Sequence, residues 1–145
     1  MLFRSPTLGS IALWNLPAGE ERNTLSGGFT CVAFTPDGKT MLAGGEGIVL
    51  WDLATGQELA TLKAHQGTVL SLALTTDGKT LASAANHLGE VKLWDMESQR
   101  VRFILKDFSI PPRSMAFAPD GKTLATFAFG EIKLWDIPVS KQPDK

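Results

Sequence analysis

His65 and Ser83 are the side chains in this sequence whose types could do chemistry as a pair. An imidazole beside a hydroxyl can raise a nucleophile, provided that the hydroxyl is exposed and an oxyanion site stands next to it. Gly44-Gly45-Glu46-Gly47 invites a second idea, a phosphate-cradling loop. It lacks the third glycine at the right spacing and a following helix whose N-terminus would hold an anion, so it reads as a shortened turn. His65, His87 and the lone Cys31 do not make a ligand set, and neither a metal nor a cofactor is expected. Cys31 falls inside an alternating apolar stretch and reads as a packed, inert thiol.

The elements that would position these groups come as a repeat. The four tryptophans sit in four matching hexamers: Ile11-Ala12-Leu13-Trp14-Asn15-Leu16, Ile48-Val49-Leu50-Trp51-Asp52-Leu53, Val91-Lys92-Leu93-Trp94-Asp95-Met96 and Ile132-Lys133-Leu134-Trp135-Asp136-Ile137. They recur about every forty residues, in phase with a second marker. That marker is Pro36-Asp37-Gly38-Lys39-Thr40, Thr76-Asp77-Gly78-Lys79-Thr80 and Pro119-Asp120-Gly121-Lys122-Thr123. Asp can bond its own backbone and Gly supplies a positive φ, which is the chemistry of a short hairpin loop, so strands must flank it. Cys31-Val32-Ala33-Phe34 and its counterparts alternate at period two before the turn, and Met41-Leu42-Ala43 and its counterparts follow it. The β-branched and aromatic hexamers make third strands. Glu58 to Leu62 and Arg100 to Leu105 make fourth strands.

Composition sets the outer bounds. With 145 residues, 43% apolar and 20% charged, the chain has the make-up of a packed globular domain, which excludes disorder, collagen and coiled coil. A net charge of −1 gives no basic footprint, so neither nucleic acid nor a membrane surface is an expected partner. A single cysteine and no Asn-x-Ser/Thr acceptor give no sign of a secreted, cross-linked domain. Met1 to Pro6 lacks the apolar core of a signal peptide, and no apolar run is long enough to cross a bilayer; the expectation is a cytoplasmic chain.

Four short antiparallel strands per repeat, with a Trp-Asp dipeptide closing the third, resemble the WD40 repeat over nearly the whole chain. The resemblance implies an all-β fold, a partial β-propeller of about 14 short antiparallel strands in about three and a half blades. Its residues that define the repeat are Trp14, Trp51, Trp94 and Trp135, with Asp52, Asp95 and Asp136. The expected division is a partial blade over 1–25, opening on a strand near Leu2 to Arg4, then blades over 26–62 and 63–105. An incomplete blade over 106–137 and a polar tail over 138–145 follow. An open arc of repeats leaves two faces uncovered. The isolated chain is therefore expected to form a homo-oligomer, to aggregate, or to be a piece of a longer polypeptide containing the remainder of the propeller.

The same resemblance gives His65 and Ser83 a structural role in place of a catalytic one. In WD40 blades a His before the first strand, a Ser or Thr on the second, an Asp in the next loop and the Trp of the third form a hydrogen-bonded brace. His65, Ser83 and Trp94 match three of these positions, and Asn86 stands nearest the fourth. The other repeats carry Leu25 and Phe108 for His65, and Ala43 and Thr126 for Ser83, so the brace is expected in one blade only.

The family's function implies a non-catalytic scaffold that binds a protein or peptide through loops at one end. Arg113, Phe127, Phe129 and His87 are the candidate contacts, since aromatics and Arg anchor interfaces. A competing reading packs Phe127 and Phe129 against the neighbouring blade. Two alternative functions stand beside the scaffold: a fragment whose propeller accompanies a catalytic domain such as a kinase or protease, or a truncated reading frame with no independent role.

Overall fold

A computed structural model describes residues 9–63, 65–87 and 89–138. Among these residues there are 13 strands and no helix: β1 (Ile11–Asn15), β2 (Glu20–Leu25), β3 (Cys31–Phe34), β4 (Thr40–Gly44), β5 (Ile48–Asp52), β6 (Glu58–Leu62), β7 (Val69–Leu74), β8 (Thr80–Ala85), β9 (Val91–Asp95), β10 (Arg100–Leu105), β11 (Ser114–Phe117), β12 (Thr123–Ala128) and β13 (Glu131–Asp136). The further strand expected near Leu2 to Arg4 lies outside the described residues. The strands form four antiparallel sheets, β1-β2, β3-β4-β5-β6, β7-β8-β9-β10 and β11-β12-β13, each a meander in chain order.

The hairpin signal does what its residues predict. Asp37 Oδ1 accepts the Lys39 N–H at 3.0 Å and the Thr35 hydroxyl at 2.6 Å, and Gly38 takes φ +68°. Asp77 and Gly78 repeat this with Lys79 and Thr75, and Asp120 accepts the Lys122 N–H at 2.9 Å. The Asp of the Trp-Asp dipeptide caps the next turn. Asp52 Oδ1 accepts N–H groups of Ala54 and Thr55 at 2.7 and 2.9 Å, and Asp95 Oδ1 accepts from Ser98 at 2.7 Å. These N–H bonds stabilise the ionised form and hold both carboxyls below the usual range.

Side-chain parity gives every sheet two unlike faces. One bears the Trp and, in the second, third and fourth sheets, turns toward the preceding sheet; the other, in the first three sheets, receives the Trp of the sheet that follows. Trp51 shares an apolar cluster with Ile11, Leu13 and Leu25, Trp94 with Ile48, Leu50 and Leu62, and Trp135 with Val91, Leu93 and Leu105. The same three strand positions therefore receive the indole each time. The innermost strands β3, β7 and β11 touch in succession, so the sheets stack around a shared axis. Met41, Leu42, Ile48, Leu81, Leu93 and Leu124 are fully buried between the layers.

Candidate functional site

The residues with chemical potential gather where β8 and β9 face the second sheet. Leu81 pairs with Trp94 and Ser83 with Lys92, which puts Ser83 and the indole on the face turned to β3–β6. Ser83 Oγ accepts the Trp94 Nε1–H at 2.7 Å and lies 2.6 Å from His65 Nε2. His65, in the loop ahead of β7, sits with its ring centroid 6.4 Å from that of Trp94. Burial, reinforced by the positive charge of Lys92 and opposed by Glu90, lowers the His65 pKa to about 4. The imidazole is thus neutral at pH 7, and with the Ser83 oxygen accepting from Trp94, the Ser83 hydroxyl donates its hydrogen bond to Nε2. Ser83 is 0% exposed, and its hydroxyl is occupied by both neighbours. The hydroxyl is closed to solvent and links the His65 loop to the Trp94 indole inside the layer.

Asn86 departs from its expected place. Its Oδ1 accepts the Thr68 N–H at 2.9 Å and its own N–H donates to the Thr68 carbonyl at 2.9 Å. The exposed side chain clips the loop that carries His65 and makes no bond within the brace. Gly67, at φ +109°, lies against Asn86 Oδ1 and leaves no room for a Cβ.

The second and fourth sheets differ from each other, and the fourth also from expectation. In the fourth sheet, Trp135 Nε1 donates to Thr126 Oγ1 at 3.0 Å, so the hydroxyl half of the brace survives there. Threonine offers its hydroxyl from the strand position that serine holds in the third sheet, which is enough to reach the indole. Phe108 fills the histidine's place by stacking on Trp135, centroids 4.8 Å apart. In the second sheet Ala43 offers no acceptor. Trp51 Nε1 is buried without a partner among the described residues, and the indole meets the edge of Phe29 at 6.5 Å.

Gly44 to Gly47 is a tight turn, closed by Gly45 N–H to the Gly47 carbonyl at 2.8 Å. A Cβ at Gly44 would sit 2.5 Å from Cys31 Sγ, and one at Gly45 2.6 Å from the Gly28 carbonyl oxygen. Close backbone approach, not an anion, explains the glycines. Burial raises the Cys31 thiol pKa, in keeping with a packed, unreactive side chain.

The remaining candidates separate. Arg113 is exposed, its N–H bound to the Phe127 carbonyl at 3.1 Å, and His87 is exposed in the loop after β8. Gly89 of that loop abuts the Phe108 carbonyl, so the loops carrying His87, Phe108 and Arg113 cluster at one end of the sheets. Phe129 lies at the same end, in the β12–β13 turn, 83% exposed at φ +46°. Beside it is a cavity of about 110 Å³ lined by Phe108, Ile110, Phe129, Glu131 and Lys133, the last donating to the Asp107 carbonyl at 3.4 Å. Phe127 belongs elsewhere: it lies within β12, paired with Ser114 and Ile132, on the face turned away from the third sheet. Among the described residues neither phenylalanine joins an apolar cluster between sheets. Glu131 and Lys133 escaped sequence reasoning because they lie within the tryptophan hexamer's strand, where they count as spacers.

Comparison with known proteins agrees with this architecture. The family described as "WD domain, G-beta repeat" matches residues 19–52 and 56–95, about half of the chain. Periodic tryptophan protein 2 homolog of Schizosaccharomyces pombe is 38% identical over 74 residues, 49% of this chain and 8% of that protein. Small ribosomal subunit protein RACK1z of Arabidopsis thaliana is 38% identical over 85 residues, 55% of this chain and 25% of that protein. The chain thus spans a quarter or less of the length of these curated relatives. Among solved structures, the β-propeller domain of Cps50 (Swd1) from Myceliophteria thermophila superimposes with a TM-score of 0.70 at 25% identity, covering 88% of this chain and 38% of that one. Stacked sheets, Asp-capped turns and the matched repeats all lead to one assignment: the chain belongs to the WD40 family.

Proposed function

We propose that this chain is a non-catalytic interaction module that binds a protein or peptide at the loop end, with Phe129, Arg113 and His87 as contacts. The observation that carries the reading is Phe129. A bulky residue held at φ +46° and 83% exposed is costly in both backbone and solvation terms, and such outliers cluster at ligand sites. The adjoining cavity is large enough for one side chain, and Glu131 and Lys133 at its rim can orient a peptide backbone. Arg113 adds a planar donor fork at the same end. The burial of Ser83 supports the non-catalytic part. Among the relatives are a protein named for the small ribosomal subunit and Pre-mRNA-processing factor 19 of Oryza sativa subsp. japonica, named for pre-mRNA processing.

The test is selection of peptides from a display library on the immobilised chain. Selected peptides should be released by Phe129→Ala and by Arg113→Glu and retained by Lys39→Glu, at the far end of the sheets. Equal retention by all three variants removes the loop end as the site.

A further inference from the structure

We propose that copies of this chain associate head to tail, the Trp14 face of one copy covering the outer face of β11–β13 of the next. The two ends of the stack carry the two halves of an interface that the chain makes internally three times. At one end, Trp14 holds the position of Trp51 and Trp94, yet it is 57% exposed. Ile11, Leu13 and Leu25 of the same sheet turn inward to Trp51, so by strand parity the indole of Trp14 lies on the face opposite the second sheet. At the other end, Ile132 and Leu134 hold the positions that receive an indole elsewhere, and they are 68% and 72% exposed.

What covers such a face is written in the molecule. Ile48 and Leu50 lie under Trp94, and Val91 and Leu93 lie under Trp135. By register, Ile132 and Leu134 are the next members of that series, flanked by Phe127 and Ala125 as cross-strand partners. The complementary surface is therefore a sheet face with a Trp at this position, and the chain exposes one. An isologous pair would set Trp14 against Trp14 or Leu134 against Leu134, neither of which occurs in the three internal contacts. Joining unlike ends repeats them, as a heterologous contact does. Two copies supply eight sheets, four from each, and propellers close at about four to eight blades.

The experiment uses the full chain without any added partner, so its outcome is independent of peptide binding at the loop end. Sedimentation equilibrium of the wild type should show a mass that rises with concentration from one copy to two or more. Trp14→Glu and Leu134→Glu each place a charge on one face only, at exposed positions that leave the fold and its cooperative melt intact. Each variant alone should remain a single copy, while an equimolar mixture should form a species of two copies and no larger, since one sound face of each kind remains. Leu59→Glu, on an exposed edge strand away from both faces, should associate as the wild type does. A wild type that stays monomeric, association that survives either face variant, or a mixture that fails to pair overturns the proposal. If Leu134→Glu proves poorly folded, Ile132→Lys serves in its place with the same expected outcomes.

Discussion

The third and second sheets share strand order but solve the problem of a buried indole differently. In the third, the Ser83 hydroxyl accepts the Trp94 N–H inside a buried layer and is itself bonded to the neutral His65. In the second, alanine stands at the serine's position and the Trp51 N–H is left without a partner, shielded by Phe29. The second sheet carries this orphaned donor while its indole packs among Ile11, Leu13 and Leu25. The polar brace of the third sheet adds hydrogen bonds to such packing and locks the His65 loop. The fourth sheet lies between the two, with a hydroxyl but no histidine.

Trp94→Ala is the change that should harm the molecule most. It removes a large side chain that is 3% exposed and leaves Ser83 without a donor. A loss of about 3–5 kcal/mol is expected from cavity and polar terms together, read as a lowered denaturation midpoint at fixed protein concentration. Trp51→Ala should cost less, because no hydrogen bond is lost with it. Equal losses at the two positions would show that the brace contributes nothing.

Ser83→Ala isolates the polar term. It changes little volume, orphans a buried indole N–H and releases His65, for about 1–3 kcal/mol. In effect it converts the third sheet into the second. A silent Ser83→Ala in a thermal melt would show that the Trp94–Ser83 bond is replaceable by its surroundings.

The pH dependence follows from His65. Its folded-state pKa of about 4 lies below the 6.5 of the free side chain, so folding favours the neutral ring. The unfolded chain then binds the extra proton between those values, and stability is fully present above pH 6.5 and lost progressively as pH falls toward 4. After discount for the part of the ring that water still screens, about 1–2 kcal/mol should disappear across that window. His65→Phe, which imports the solution of the fourth sheet, should flatten this segment of the pH–stability curve. An unchanged slope would place the titration elsewhere.

How much of this was visible beforehand depended on the range of the interaction. Turns set by Asp37, Asp77 and Asp120 and strands set by the tryptophan hexamers are local and periodic, so the four-sheet stack could be anticipated from spacing. The His65–Ser83–Trp94 brace was also anticipated, through the family resemblance. Asn86 was not: its amide turns to the Thr68 backbone, a choice between two nearby acceptors and donors that no spacing encodes. Thr126 could have been recognised, since a threonine hydroxyl at serine's position reaches the same indole. Phe127 and Phe129 look alike in sequence, yet one lies on a strand face and the other in a turn. The cavity beside Phe129 depends on where loop 107–113 settles, which is a tertiary outcome.

Thr126→Val tests the intermediate case. Valine keeps the shape and removes the hydroxyl that accepts the Trp135 N–H at 3.0 Å. The expected cost is about 1 kcal/mol, smaller than for Ser83→Ala because the indole is partly exposed and water can replace the lost acceptor. A cost equal to that of Ser83→Ala would mean that Trp135 is as dry as Trp94.

The smallest effect should run in the opposite direction. Ala43 is fully buried beside Trp51, at the strand position that Ser83 and Thr126 occupy in the other sheets. Ala43→Ser adds one oxygen where an unpaired indole N–H already waits. The new bond is expected to outweigh the burial of the hydroxyl and to stabilise the chain by about 0.5–1 kcal/mol, seen as a modest rise in Tm. The rise should vanish in Trp51→Phe, which has no N–H to donate, leaving only the cost of burying a hydroxyl. If Ala43→Ser destabilises both backgrounds equally, the serine does not reach Trp51, and the backbone of β4 and β5 holds the two too far apart for the solution used by the third sheet.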